Sequence, residues 1–449
     1  MRKKILILNN YEYLNFLNAD SSYTLTKSFI NEALAADEHL SIKWVLPSNS
    51  TLSWEPDLDH ERLEIIKCPY LKSRDANEIV PQWFDAVNPF FGRHCDYHLV
   101  ICNNAGLALR MTELLQFIHN PIPVIIWEFY TKTLGRGAWS QQNVANVQMH
   151  ALAHALAEVT WYQSEWEMKN AVRMAQKFLS PKLQDRVIET GRAVTIACNT
   201  KALDAIKTTK PKKPTLYFGG RFTKLKAGEV AVQVYDYLYK LGFNIDIEIT
   251  VPHKKVRRLE TVELGKDELR IHKGLLQSEA WEVMKSCTHS IYPGAQINSL
   301  PGAFFEQVYS GLVVFAQKKN SEMVLPSNYP YLFTTIDEAV LGLKKCLESN
   351  EKADPCWAKM AEDKFGVCVN TQSMLKDIDM ASKKSMPRKS GKYAKELKER
   401  GFDSWAICYE WLLRNKPIVK ATKRYVLTQG TRVNLNEVFR EWSQLTTLS

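Results

Sequence analysis

The feature that most constrains this chain is an alternation that runs, stops and starts again. Short apolar runs suited to buried strands alternate with stretches of helical spacing. Ile5–Leu8, Ile42–Leu46, His98–Cys102, Val124–Trp127 and Glu158–Tyr162 read as strands. Between them, Ser21–Ala35 sets Leu25, Phe29, Ile30 and Leu34 on one side, and Ala108–Ile118 and Gln148–Leu156 read as helices. Around 200–214 the texture changes to a Lys- and Pro-rich stretch, KALDAIKTTKPKKP, poor in large apolar residues. It reads as a linker. The alternation then restarts, with strands at Thr215–Phe218, Ile245–Val251, Leu269–His272, His289–Tyr292 and Leu312–Ala316. Helical spacing fills Glu229–Leu241, Ser278–Lys285 and Ala303–Ser310.

Strands and helices that alternate with short connections argue for parallel sheets covered on both faces. Two such halves in series predict two facing Rossmann-like domains, with a ligand site in a central cleft beyond the carboxyl ends of the strands. The 449 residues fit this, since a domain takes about 100–200. The expected division is 1–200 as an N-terminal Rossmann-like domain, 201–213 as linker and 214–350 as a C-terminal Rossmann-like domain. A crossing helix over 351–380 and a small basic helical module over 381–449 follow.

Composition excludes several classes. No apolar run reaches the ~18 residues of a membrane span. The apolar run of MRKKILILNN stops after Leu8, too early for a secretory leader. The nine cysteines are an odd number with no CxxC pair. They read as free thiols of a reducing cytoplasm, and no zinc spacing appears. His150 and His154 lie four apart without a third ligand, and are expected to serve the structure or the surface. Charge is unevenly placed. The chain carries +10, of which residues 381–449 hold +9. A block of this kind points to a polyanionic partner. Lys383, Lys384, Arg388, Lys389, Lys420, Lys423 and Arg424 belong to it. Lys254, Lys255, Arg257 and Arg258 add a second basic loop. Trp405, Tyr409, Trp411, Tyr425 and Trp442, interspersed in the basic block, either pack a small core or stack on bases. A solvated tail and an anionic membrane face remain open alternatives.

Two segments carry chemistry. In Phe218-Gly219-Gly220-Arg221-Phe222-Thr223-Lys224-Leu225-Lys226, glycines follow a strand and cations follow the glycines. Glycine lets backbone approach a ligand closely. Arg221 adds a planar fork of donors, and Lys224 or Lys226 a point charge. The set suits a diphosphate. In the second segment a strand ending at Tyr292 runs into a Gly/Pro loop, and a helix starting near Pro301 carries Glu306 and closes at Gly311. A carboxylate there can accept both hydroxyls of a ribose.

In this order and separation the two segments resemble the C-terminal domain of the group 1 glycosyl transferases, a retaining family of GT-B fold. Its G-R-x-x-x-x-K motif falls on Gly220, Arg221 and Lys226. Of its two glutamates eight residues apart, the second falls on Glu306, and the following glycine on Gly311. The first falls on Asn298, where this sequence departs. Asn298 can hydrogen-bond a sugar but carries no charge.

The resemblance implies a sugar transferase that retains configuration and needs no metal or other cofactor. A nucleoside diphosphate sugar is the co-substrate, a UDP-sugar by first expectation. Arg221 and Lys226 would stabilise the departing diphosphate, Glu306 would hold the ribose, and the main chain at Asn298, Ser299 and Leu300 would meet the sugar or phosphates. In the N-terminal half, Glu128 at a strand end is the candidate for acceptor activation. Asn103, Asn104 and Ser164 are further strand-end residues expected near the cleft.

The basic block favours DNA as acceptor, at a hydroxymethylated pyrimidine, as in the phage enzymes that this fold resembles. That would place the protein in a (host) cytoplasm. The alternatives are an enzyme of surface polysaccharide or lipid-linked glycan synthesis, and a non-catalytic nucleic-acid-binding protein on a transferase scaffold.

Overall fold

The computed structural model describes residues 3–11, 17, 20–48, 60–68, 70–72, 79–81, 97–117, 122–129, 144–220, 227–251, 269–294, 302–318 and 324–384. They form two compact units. The first gathers the chain up to Tyr23, Ala33–Val194, and the chain from Met374 onward; the second gathers Thr24–Glu32 and Thr195–Ser373.

From the first unit's β1 (Lys3–Leu8) the chain runs through α1 (Ser21–Ala36), whose Thr24–Glu32 groups with the second unit, to β2 (Leu40–Pro47) and β3 (Leu63–Cys68). A small antiparallel pair, β4 (Tyr70–Lys72) and β5 (Ile79–Pro81), precedes β6 (Leu99–Cys102). There follow α2 (Ala105–Phe117), β7 (Val124–Glu128), α3 (Val144–Leu156), β8 (Val159–Tyr162), α4 (Glu165–Phe178), α5 (Pro181–Thr190) and β9 (Gly191–Ala193). The main sheet has the order β3-β2-β1-β6-β7-β8-β9, and every pairing is parallel. Strands β6, β7 and β8 are buried along their whole length, as in parallel sheets covered on both faces. Trp44, Trp127 and Trp161 are buried within it.

The second unit opens with α6 (Thr200–Ala205), then β10 (Thr215–Gly219), α7 (Gly228–Lys240), β11 (Asp246–Val251) and β12 (Leu269–Lys273). It continues through α8 (Gln277–Lys285), β13 (His289–Tyr292), α9 (Gly302–Tyr309), β14 (Val313–Gln317), β15 (Leu332–Phe333), α10 (Ile336–Glu348) and α11 (Pro355–Phe365). The sheet order is β12-β11-β10-β13-β14-β15, again parallel throughout. One apolar core joins Phe218, Tyr235, Ile249, Trp281, Phe304, Phe305 and Phe315.

The start of the Lys- and Pro-rich stretch is not extended. Residues 200–205 form α6, whose N-terminus is capped by Asn199 accepting from the Ala202 N–H at 3.1 Å. Four lysines and two prolines follow that helix, and they dominate the composition of the stretch. The expected single crossing helix is two helices. Between α11 and α12 (Val367–Lys384), Gly366 takes an extended conformation and pairs with Cys198. The later part of α12 is anchored in the first unit. There the Trp161 indole donates to the Asp377 carboxylate at 2.8 Å, and Lys3 bridges Asp37 and Asp379. Lys383 and Lys384, read as the opening of the basic module, are the last turn of this helix, and Lys384 pairs with Glu158. The rest of the basic module lies outside the described residues.

Candidate functional site

In each sheet the strand order reverses beside the unit's first strand, between β1 and β6 and between β10 and β13. Such a switch point splays the connections and opens a crevice at the carboxyl ends of the strands. The two crevices are built differently.

In the first unit, asparagines follow the strands on both sides of it. Asn9 and Asn10 follow β1, and Asn103 and Asn104 follow β6. The Asn10 N–H donates to Asn103 Oδ1 at 2.7 Å, and Asn103 Nδ2 donates back to the Asn10 carbonyl at 3.4 Å. Asn9 accepts from the Trp44 indole at 2.8 Å and donates to the Ser22 carbonyl at 3.1 Å. Asn104 accepts from the Leu107 N–H at 3.1 Å, capping α2. Asn103 and Asn104, expected near the cleft, are buried and bonded within their own unit.

Glu128 is likewise buried, at 2% exposure. Its Oε2 accepts from the Ala105 N–H at 3.1 Å, at the start of α2, where free N–H groups and the helix dipole favour an anion. His154 lies with Nε2 3.7 Å from the same oxygen, and burial lowers its pKa to about 3, so it stays neutral. His150 is also buried, so this pair supports the structure. Ser164 caps α4, accepting from the Glu167 N–H at 3.2 Å. Among the described residues no three His, Cys, Asp or Glu converge on a metal position. The cysteines there are free, and no helix is long and apolar enough to cross a membrane.

In the second unit, glycine lines the crevice. Gly219 ends β10, Gly220 follows at φ 154°, and Gly294 follows β13. A Cβ on Gly219 would stand 2.3 Å from the Tyr217 hydroxyl, and one on Gly294 would stand 2.8 Å from the Tyr292 ring. Both tyrosines are buried, and Tyr217 is held by a 2.7 Å hydrogen bond to Thr250 Oγ1. Tyrosine rings thus form the floor, and only bare backbone fits above them. The Gly220 N–H itself donates to the Thr250 carbonyl at 3.1 Å, closing that turn.

Helix α9 leaves the same switch point. Phe304, Phe305, Gln307 and Val308 turn inward. The helix can lie this close because residue 302 is glycine, since a Cβ there would stand 2.6 Å from the Ala197 carbonyl oxygen. Gln307 receives the Ser290 hydroxyl, tying α9 to β13. Glu306 keeps part of its surface open while protein surrounds its carboxylate closely. Burial raises its pKa to about 7, and a hydrogen bond from Trp281 on α8 opposes the rise. The carboxylate is thus poised between its neutral and ionised forms near neutral pH.

Of the residues expected at the donor site, Gly220 and Glu306 both belong to this unit, on elements that flank one switch point. Arg221, Lys224, Lys226, Asn298, Ser299 and Leu300 lie outside the described residues, as do Lys254, Lys255, Arg257, Arg258, Arg388, Lys389, Lys420, Lys423 and Arg424. Sequence reasoning missed Tyr217, Gly294, Gly302 and Trp281. Two strand-end Tyr-x-Gly triplets, 217–219 and 292–294, were the available signal for the first two.

Comparison with known proteins agrees with this architecture. Anabaena HepE in complex with UDP is 10% identical, with a TM-score of 0.59 over 84% of this chain and all of that one (100%). The sucrose-phosphate synthase of Thermosynechococcus elongatus is 14% identical, with a TM-score of 0.60 over 84% of this chain and 99% of that one. A UDP-forming α,α-trehalose-phosphate synthase from Burkholderia xenovorans is 11% identical, with a TM-score of 0.57 over 85% of this chain and 100% of that one. No family model and no curated protein matches the chain. At these identities the likeness shows the fold, which is that of the GT-B glycosyltransferases.

Proposed function

We propose that this chain is a glycosyltransferase that moves a sugar from a nucleoside diphosphate sugar, a UDP-sugar by first choice, to a hydroxyl acceptor. The observation that carries the reading is the contrast between the two switch points. At one, Asn10 and Asn103 are bonded to each other; the other is flanked by Gly219, Gly220 and Gly294 and by a helix bearing Glu306. Similar folds have been solved with UDP and with UDP-glucose, both as complexes of Anabaena HepE.

In this reading the diphosphate lies over Gly219 and Gly220, where no side chain intervenes. Arg221 and Lys226 follow directly in the chain and supply positive charge. As the bond from the anomeric carbon to the diphosphate breaks and that to the acceptor oxygen forms, negative charge grows on the leaving group. Fixed cations there lower the barrier, and loss of one such donor typically costs about 3 kcal/mol. The ribose hydroxyls donate to ionised Glu306. Asn298, Ser299 and Leu300 contact the sugar or the phosphates. Glu128, the candidate for acceptor activation or sugar contact, is held at the end of β7 by the Ala105 N–H. Transfer proceeds with retention and without a metal.

The acceptor we propose is DNA, at a hydroxymethylated pyrimidine, which places the reaction in the cytoplasm. The reading rests on the +9 carried by residues 381–449.

A thermal-shift screen of nucleotide sugars tests the donor, because a ligand at 100 times its Kd stabilises by about 2.7 kcal/mol. UDP-sugars are expected to raise the melting temperature, and Arg221→Ala to abolish both the shift and sugar transfer. Transfer that survives Arg221→Ala refutes the assigned site. Duplex binding that weakens steeply with salt and vanishes on deleting 381–449 supports the DNA acceptor. Donor turnover with no duplex binding at low salt redirects the acceptor to a glycan.

A further inference from the structure

We propose that Asp204 and Tyr309 are positioning residues: they form a clasp that holds Glu306 for the ribose and sets how strongly the site prefers a ribonucleotide to its 2′-deoxy form. The inference rests on the reading that this crevice binds a nucleoside diphosphate with its ribose on Glu306.

Gly302, Glu306 and Tyr309 follow one another at spacings of four and three residues, so they line one side of α9. The other side is fixed, because Phe304, Phe305, Gln307 and Val308 are buried. Both ends of the outer line meet the same piece of chain, residues 197–204. At one end, a Cβ on Gly302 would stand 2.6 Å from the Ala197 carbonyl oxygen. At the other, the Tyr309 hydroxyl donates to both Asp204 oxygens, at 3.1 and 3.0 Å. Glu306 lies between the two contacts, about one helical turn from each.

The clasp is anchored at its Asp204 end. Asn199 caps the start of α6. At the other end of α6, Lys285 on α8 donates to the Leu203 carbonyl at 2.5 Å and to the Ile206 carbonyl at 2.8 Å. The chain ahead of α6 is pinned too, since the Ala197 and Cys198 N–H groups both donate to the Phe365 carbonyl at 3.0 Å. Asp204 therefore sits on a small helix held at both ends. Helix α9 is only eight residues long, and helix ends fray. The bond to Asp204 ties down its last turn, next to Glu306. Burial, and then the bond to Asp204, push the pKa of the phenol up, so it stays a donor. A carboxylate that must meet two ribose hydroxyls gains from being placed beforehand, because less ordering is left for the ligand to impose.

The test is calorimetric titration of UDP and of 2′-deoxy-UDP into the full chain. The variants are Tyr309→Phe, which removes only the hydroxyl, Asp204→Ala, Asp204→Asn and Glu306→Gln. The readout is the ratio of the two affinities. A helix that is merely loosened weakens both nucleotides alike, whereas a displaced Glu306 costs more for the nucleotide that carries both hydroxyls. Wild type is expected to prefer UDP. Tyr309→Phe and Asp204→Ala are expected to reduce that preference by about three- to ten-fold, chiefly through UDP. Asp204→Asn keeps an acceptor for the phenol and is expected to recover most of it. Glu306→Gln is expected to lose it.

A preference unchanged in Tyr309→Phe, or both nucleotides weakened by one factor, while Glu306→Gln loses the preference, overturns the clasp and leaves the nucleotide reading intact. A wild type that binds neither nucleotide, or a Glu306→Gln variant that keeps the full preference, overturns both. If Tyr309→Phe does not fold, recovery in Asp204→Asn of the preference lost in Asp204→Ala carries the same expectation.

Discussion

Gly219→Ala is the sharpest probe of the glycine-lined crevice, because the structure fixes what the added methyl meets. The new carbon would stand 2.3 Å from the Tyr217 hydroxyl oxygen, 2.8 Å from Cζ and 2.9 Å from Cε1. Comfortable contact begins near ~3.5 Å, so the phenol must move by about 1 Å. Its ring is buried, and its hydroxyl is bonded to Thr250 Oγ1 at 2.7 Å. Moving it gives up that hydrogen bond, about 1 kcal/mol, and overpacks the floor, about 1–3 kcal/mol. The expected loss is about 3 kcal/mol of stability in the second unit. In urea unfolding the relevant transition is the one that UDP shifts upward. Tyr217→Phe alone should cost about 1 kcal/mol. Combined with Gly219→Ala it moves the nearest contact from 2.3 to 2.8 Å. The double variant should therefore be about 1 kcal/mol more stable than the sum of the single effects. Strict additivity, or a Gly219→Ala chain as stable as wild type, would refute the placement of Tyr217 beneath the glycine.

Glu306→Gln should trade binding for stability. The carboxylate's pKa rises from 4.5 to about 7 on folding, so the folded chain holds the extra proton between those values. Stability contributed by this group therefore falls as pH rises from about 4.5 to about 7 and is level above that. At pH 8 the glutamine variant should be more stable by about 1–2 kcal/mol, a value reduced for the part of the side chain open to solvent, while UDP binds more weakly. Denaturation curves at pH 5 and 8 check the sign, which must be lost in the variant. Gly302→Ala places a methyl 2.6 Å from the Ala197 carbonyl oxygen, backbone against backbone. It should cost about 2 kcal/mol and weaken UDP binding measured by calorimetry, because α9 must back away. Trp161→Phe leaves the buried Asp377 carboxylate without its indole donor. It should lower stability by about 2 kcal/mol with no change in UDP affinity, as measured by melting and titration.

Strand and helix periodicities could be read to within a few residues. Val124–Trp127 was expected and Val124–Glu128 is observed; Ser21–Ala35 was expected and Ser21–Ala36 is observed. Such elements carry long apolar runs or a single wet face, and those patterns are local. The elements that escaped notice include amphipathic helices dense in charge, α4, α5 and α10, the short α6 and the β4–β5 pair, and the edge strands β3, β9 and β15. Edge strands have one neighbour and half-exposed faces, as in the partly buried LEIIKC of β3, so no continuous apolar run marks them. The break at Gly366 was missed because helical spacing continues through it.

The division of labour at the candidate site follows the same physics. The order of residues along the chain was enough to identify a glycine-ended strand followed by cations, and a glutamate placed between a loop and a closing glycine. Those are properties of spacing. It could not tell how two similar switch points differ. That depends on Asn10 reaching Asn103 across 93 residues, and on Tyr217 lying under Gly219 with its hydroxyl on Thr250. Nor could it show that Glu128, which reads like an exposed strand-end acid, is buried against the first turn of α2. The state of Glu306 also belongs to the folded chain alone. Its pKa near 7 arises from burial. Spacing is inherited from the chain, but desolvation and the pairing of distant polar groups exist only once the sheet has brought them together.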